Sequence, residues 1–453
     1  MPERLEFVET DWIEYERKEK ERIIEEIAAD LARQHPELFD GSLFGGEKLD
    51  LEAVVRKAVL AREDVLPEEV DEIVSAIAAQ ASGYGPLAEF FAPEAAEITE
   101  VLVNPTRDGP KVWYGRHGRS WPAQKRYFAD DDEVREWARK VCEDAGRPFT
   151  ADTPIVDAWL RDGSRINVIG FKASPLGTAV TIRKSPLTRP AMPLEKLVEN
   201  GMMPRFVAEW LVDLLVRGHA NLGVFGRTDS GKTTLLRALG AHIDPRDRTF
   251  IAETSFELFI PELQNAVNLV EVSYGGETVV DMSALCETMN RSNPDRAIVG
   301  EIRGKEIVAA SQMATSTSGG FWTTGHAGNV HSLRSRIWGM FFRGGVTLPE
   351  TFLDEIIASM FQFLIFVDKE ELTEERKRTL MSVVEVVPGG GYRVIVRFDA
   401  ERFAETGGRE RRWICENPPT SERLAMLAFR GAKVRPEYRS AEEKFFYAEG
   451  GGR

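Results

Sequence analysis

The stretch GRTDSGKTT, residues 226–234, carries the residue types that grip a polyphosphate. Gly226, Gly231, Lys232 and Thr233 fit the pattern G-x-x-x-x-G-K-[ST], and Thr228, Asp229, Ser230 and Thr234 complete the candidate loop. In such a loop consecutive backbone N–H groups at a helix N-terminus wrap the phosphates. A lysine brings a point charge to the β and γ oxygens, and a hydroxyl can ligate Mg²⁺. Asp229 is the irregular member: it stands where a small residue sits more easily, and its carboxylate lies near phosphates unless it points outward. If that position needs a positive φ, aspartate tolerates it better than most residues other than glycine. The expectation is a loop that binds nucleotide with somewhat reduced affinity. A loop kept only as a scaffold is the alternative.

Hydrolysis requires a carboxylate to orient the attacking water and cations to neutralise the transferring phosphoryl group. AIVGEIRG (297–304) is an apolar strand ending in Gly-Glu, where the C-terminal edge of a parallel sheet presents ligands. Gly300 stands in place of the usual aspartate, which leaves Glu301 as the carboxylate.

These residues need a scaffold. ANLGVFG (220–226) reads as a strand running into the loop and TTLLRALGAH (233–242) as the helix after it. RTFIAE, RAIVGEI and FWTTGH are further strands with helices between, a pattern that indicates a largely parallel sheet. Residues 91–185 have a different texture, with short alternating strands (ITEVLVN, KVWYGRHGR, AWLRDG, SRINVIGF, TAVTIRK) and one helix, DDDEVREWARKVCEDAG. Hairpins are expected at Asp162-Gly163 and near Gly177. The first 90 residues space apolar side chains three and four apart among charges, which predicts helices, one starting near Pro67 and ending at Gly83. The resulting division is an acidic helical extension (1–90), a mixed α/β domain (91–185), a proline-rich linker (186–196) and an α/β nucleotide-binding domain (197–453). In the last of these, a β-hairpin is expected around Gly389-Gly390-Gly391.

Composition narrows the partners. A chain of 453 residues, 43% hydrophobic and 29% charged, is long enough for two or three globular domains. The net charge is −15, and residues 1–80, with 22 Asp/Glu against 10 Lys/Arg, hold −12 of it. The absence of a basic balance argues against a grip on nucleic acid. Cys142, Cys286 and Cys415 lie far apart, which points to a reducing cytoplasm rather than a disulfide framework. The chain begins MPERLEFVETDWIEYERKEKERIIEE, without a basic-then-apolar leader, and its most apolar short stretch, MFQFLIFV (360–367), is too short to span a bilayer. Membrane contact is expected only through partners.

With these motifs placed, residues 50 to 400 resemble the type II/type IV secretion ATPase superfamily, closest to the branch that powers Tad/Flp pilus assembly, the CpaF-type ATPases. GYGPL (83–87) with ITEVLVN (98–104), then DTPIVDAWLRDGSRINVI (152–169) and AVTIRK (179–184), are similar to its N-terminal segments. GRTDSGKTT, FIAETSFELFI (250–260), NPDRAIVGEIRG (293–304) and TTGHAGNVHS (323–332) follow in family order as phosphate loop, acidic box, Walker B motif and histidine box.

The resemblance implies a RecA-like C-terminal ATPase domain behind a PAS-like mixed α/β domain, with ATP and Mg²⁺ as ligand and cofactor. It further implies a homo-hexamer at the cytoplasmic face of the inner membrane, acting on platform proteins of a pilus or secretion machine. Glu301 is then the residue acting on water, Glu253 and Glu257 are the acidic-box candidates, and His326 is a phosphate sensor, with His331 a weaker match. The usual Glu-Asp pair of the acidic box reads Ala252-Glu253 here. Arg165 and Arg183 match arginines that reach the phosphates when the two domains close, which makes them arginine-finger candidates, whereas Arg303 reads as a structural or intersubunit partner. A conjugative type IV secretion motor, a RecA-like nucleic-acid translocase and a non-hydrolysing scaffold are the rival readings.

Overall fold

The computed structural model describes residues 22–24, 26–31, 33–34, 51–62, 64–71, 73–74, 77, 84–92, 95, 97–116, 119–160, 162–187, 191–274, 277–317, 319–389, 391–441 and 444–448. Most of the acidic first 50 residues, Gly83 and Gly390 therefore lie outside the described residues. The chain divides into two compact units, Met1–Pro190 and Ala191–Arg453.

In the first unit, the described part of 22–34 and helix α1 (Leu51–Leu60) put Ile23, Ile27, Leu31, Val55 and Val59 at helical spacing into a small cluster with Val70, Ile73, Val74 and Ile77. A separate six-stranded antiparallel sheet follows, built from β1 (Ile98–Asn104), β2 (Lys111–Arg116), β3 (Arg119–Pro122), β4 (Ile155–Trp159), β5 (Arg165–Ile169) and β6 (Ala179–Arg183). Its order is β3-β2-β1-β6-β5-β4. Helix α2 (Asp131–Asp144) covers one face, sending Val134, Ala138, Val141 and Cys142 against Val101, Val103, Ile166, Val168, Val180 and Ile182. Asp130 caps this helix by accepting from the Glu133 N–H at 3.0 Å, and three acidic residues in the first turn face the positive end of the helix dipole. Because side chains alternate along a strand, burying Ile166 and Ile182 turns Arg165 and Arg183 to the opposite, exposed face.

The second unit opens with α3 (Leu194–Glu199) and α4 (Arg205–Trp210), which continues as a π-helical segment, Leu211–Val216. After it come β7 (Leu222–Gly226), α5 (Lys232–Gly240), β8 (Thr249–Glu253), β9 (Ala266–Val270) and a two-stranded ribbon, β10 (Val272–Tyr274) with β11 (Glu277–Val280). The next elements are α6 (Met282–Asn290), β12 (Arg296–Val299), α7 (Ile307–Ser316), β13 (Phe321–Gly325), α8 (Val330–Arg343), α9 (Glu350–Met360) and β14 (Phe363–Lys369). The last are β15 (Arg378–Val387), β16 (Gly391–Phe398), α10 (Ala400–Glu405), β17 (Arg412–Cys415), α11 (Ser421–Phe429) and β18 (Lys444–Tyr447).

Ten of these strands form one sheet in the order β18-β17-β16-β15-β14-β7-β13-β12-β8-β9. The pairs from β14 through β7, β13, β12 and β8 to β9 are parallel, and those from β14 out to β18 are antiparallel. Helices on both faces bury β7, β8, β12 and β13 along their whole length, whereas β9, at the edge of the sheet, is half-buried. Along β14, Phe363, Ile365 and Val367 enter one core, shared with α3, α4 and α5. Leu364 and Phe366 enter the other, shared with α6 to α9. One strand, β13, separates β7 from β12, which is the RecA-like order. The hairpin read around residue 390 exists as β15–β16, but it is part of the main sheet, and the short strands β17 and β18 extend it.

Candidate nucleotide-hydrolysis site

The phosphate loop, His326, Glu301 and Glu253 leave the C-terminal ends of four successive neighbours in the sheet, β7, β13, β12 and β8. Register fixes the ends: Ile302 N–H donates to Thr324 O at 3.0 Å, Gly300 N–H to Ala252 O at 2.8 Å, and the Thr324 hydroxyl to Gly300 O at 2.6 Å. Residues up to a hundred positions apart in the chain are thus delivered to one edge.

In the loop, Asp229 has φ 61° and Gly231 φ 91°. The first confirms that position 229 lies in the left-handed region, which aspartate enters at modest cost. A side chain on Gly226 would strike Val367 O at 2.1 Å and one on Gly231 would strike Arg378 Cδ at 2.8 Å, so both positions exclude a Cβ. Lys232 is buried, and its ammonium donates to Gly226 O (3.2 Å) and Arg227 O (2.9 Å). Burial lowers the Lys232 pKa, while Glu301 pulls it the other way. The Ser230 hydroxyl is buried at 1% exposure and, among the described residues, meets no hydrogen-bond partner. Thr233 and Thr234 are half-buried in the first turn of α5, whereas Thr228 is exposed.

The Asp229 carboxylate meets Lys369 Nζ at 2.9 Å and Arg378 Nη2. Burial alone would raise its pKa, but Arg378 and Lys369 outweigh this and hold it below the usual carboxylate value.

Glu301 lies between a histidine and an arginine. His326 Nε2 stands 2.8 Å from Oε1, and Arg303 Nη2 pairs with Oε2. The same imidazole bonds the Gly226 backbone, so His326 links the carboxylate to the phosphate loop. Burial and then Lys232 push the His326 pKa down, while Glu301 and the Gly226 backbone pull it the other way. Arg303 is fixed in turn by Glu306, which accepts its backbone N–H, and its own carbonyl accepts from Arg343.

Glu253 is turned inward. It is 5% exposed, and its two oxygens accept from the Glu257 and Leu258 N–H groups at 3.0–3.2 Å, closing the turn after β8. Burial pushes its pKa up to about 8 against those bonds. Room for it comes from Gly300, where a Cβ would stand 2.8 Å from Glu253 Cγ. The missing aspartate of the strand end is therefore filled by a carboxylate from the neighbouring strand. Within this site Glu253 holds the turn that carries Glu257, which is half-buried and lies near Lys232 and Arg303.

The profile of the type II/IV secretion system protein family matches residues 93–377, more than half of the chain. This chain belongs to that family. An uncharacterized protein of Methanocaldococcus jannaschii is 32% identical over 266 residues, 58% of this chain, and the match spans only 45% of that relative's length. A type IV secretion system protein PtlH homolog of Bordetella bronchiseptica is 27% identical over 312 residues, covering 63% of this chain and 89% of its own. Among solved structures, the ATPase DotB of Legionella pneumophila is similar at 15% identity with a TM-score of 0.46, over 76% of this chain and 82% of that one.

The two arginine-finger candidates lie in the first unit. Arg165 and Arg183 are register partners on β5 and β6, with Trp159 opposite Arg165 and Glu100 opposite Arg183. Arg165 Nη2 pairs with Asp157 at 3.1 Å. The DGSR turn that precedes Arg165 is built from inside: Asp162 accepts from the Ser164 N–H (2.8 Å) and hydroxyl (2.7 Å), and Ser164 Oγ accepts from Ser185 N–H (2.9 Å). His331 is exposed near the start of α8 and does not join Glu301 and His326. Sequence reading missed Lys369 and Arg378. Their one signal was an acidic residue inside a phosphate loop, which demands a cation nearby.

No helix among the described residues is long and apolar enough to cross a membrane. Nor do three His, Cys, Asp or Glu side chains cluster there to hold a metal ion.

Proposed function

We propose that this chain is an ATP-hydrolysing motor of a pilus-assembly or secretion machine, of the Tad/Flp branch. It works as a homo-hexameric ring at the cytoplasmic face of the inner membrane and contacts the membrane through platform proteins. One observation carries the reading: four adjacent parallel strands deliver a phosphate loop, a histidine, a carboxylate and its supporting turn to one edge. Gly226 and Gly231 leave a backbone cradle, and the unpartnered Ser230 hydroxyl offers a buried polar group inside it.

In this reading Lys232 exchanges its carbonyl partners for the β and γ oxygens, and the Thr233 hydroxyl would hold a Mg²⁺ arriving with the nucleotide, which would supply positive charge to the phosphates. Glu301 orients a water and takes its proton as the water oxygen bonds the γ phosphorus. The bond to the β–γ bridging oxygen breaks, releasing ADP and phosphate. His326, tied to both Glu301 and Gly226, couples the carboxylate to the loop. Arg165 and Arg183 supply positive charge to the transferring group on domain closure, and phosphate release removes the contacts that favour closure.

Turnover of Mg²⁺-ATP across a protein concentration series tests this, with Glu301→Gln beside the wild type. The expected result is turnover per chain that rises with concentration and falls about a thousandfold in the variant while ATP still binds. Binding without turnover in either protein would favour a scaffold, and stimulation by DNA a nucleic-acid translocase.

A further inference from the structure

The phosphate loop is gripped from outside its own motif. β14 runs parallel to β7 with Val367 beside Gly226, and the chain beyond it stays against the loop. Arg227 Nε donates to Asp368 at 2.7 Å and its Nη2 to Lys369 O at 2.9 Å. Two residues on, Asp229 places one oxygen on Lys369 Nζ at 2.9 Å and the other on Arg378 Nη2, while Arg378 Nε donates to the Asp229 carbonyl at 3.1 Å. The Arg378 stem then lies over Gly231, where it would meet an added Cβ at 2.8 Å. Lys369 and Arg378 are thus the two cations that neutralise the one carboxylate in the loop, and both come from the β14–β15 edge, about 140 residues away in sequence.

A carboxylate beside incoming phosphates repels them, and a bound arginine and lysine turn that repulsion off. We infer that Lys369 and Arg378 are positioning residues for nucleotide binding that act through Asp229: by pairing with its carboxylate they turn it aside and mask its negative charge from incoming phosphates. The inference rests on the nucleotide-binding reading above. It assigns to Asp229 an ion pair inside the protein in place of a contact with nucleotide.

The test is equilibrium binding of a fluorescent ATP analogue, with thermal unfolding of each variant alongside. Lys369→Gln with Arg378→Gln leaves Asp229 unmasked, and affinity is expected to fall about 10- to 100-fold. Adding Asp229→Gly to that pair removes the charge and suits the left-handed backbone, and affinity should return to within about threefold of the wild type. Asp229→Gly alone should bind at least as tightly as the wild type, and Arg378→Lys should keep most of the affinity. A merely structural role for the two cations would give a loss that Asp229→Gly does not rescue, which overturns the inference, as would full affinity in the double glutamine variant. Failure of the wild type itself to bind the analogue would overturn the nucleotide reading, and this inference with it. A wild type that binds, with a double-variant loss that Asp229→Gly leaves unrescued, would overturn this inference alone.

Discussion

The ten-stranded sheet brings its charged groups together where parallel strands end inside a half-buried site, whereas the six-stranded sheet sets Arg165 and Arg183 side by side on an exposed face, at the start of β5 and the end of β6. Glu301, His326 and the phosphate loop follow three adjacent parallel strands. Each is partly buried, and burial moves the pKa of Lys232, His326 and Glu253 away from ordinary values. Arg165 and Arg183 instead face each other across an antiparallel ladder and remain exposed, their mutual repulsion offset by Asp157 beside one and Glu100 opposite the other. Parallel ends suit groups that must be held still in a low-dielectric site. An open antiparallel face suits cations that must keep their charge in water until something approaches them.

The largest effect that would sharpen this contrast comes from the open face. Arg165→Gln with Arg183→Gln should lower ATP turnover about a hundredfold and leave the unfolding temperature within a degree or two. Unchanged turnover would confine the chemistry to the strand ends. A smaller effect separates the two sheets by pH. The folded chain holds Glu253 at about 8, against 4.5 for an unperturbed glutamate, so it retains a proton that the unfolded chain releases. Stability from this group is full below about 4.5 and is lost as the pH rises through about 8. The unfolding temperature of the second unit should fall across that window, and Glu253→Gln should flatten the slope. A slope that survives the substitution would point to another buried group. The smallest effect belongs to the helix beneath the arginines: Asp130→Ala removes the cap of α2 and should cost about 1 kcal/mol in chemical denaturation, without altering ATP affinity.

Much of the site was legible because its signals are local. A strand, a glycine-framed loop and a helix start within twenty residues define the phosphate loop, and Gly-Glu after an apolar run marks the carboxylate at a strand end. Even the left-handed backbone at Asp229 follows from which residues tolerate it. The remainder depends on contacts between distant segments. Glu253 turns inward only because Gly300, on the neighbouring strand, lacks a side chain, and neither residue alone carries that information. Lys369 and Arg378 sit in a run of mixed charges, and only the parallel register of β14 with β7 picks them out. Strands β17 and β18 have four residues each, too few for their alternation to separate them from loop.

The buried Asp213 in the π-helical segment ties the far end of the chain to its chemistry. It meets Arg435 at 2.7 Å and the Tyr438 hydroxyl at 3.0 Å, and its carbonyl accepts from the Lys433 N–H at 2.9 Å. The helix that carries it feeds directly into β7. Shortening the chain at residue 430 would therefore take Arg435 and Tyr438 from a buried anion and loosen the segment that leads into the strand before the phosphate loop, so residues 433–438 act as a brace behind that loop.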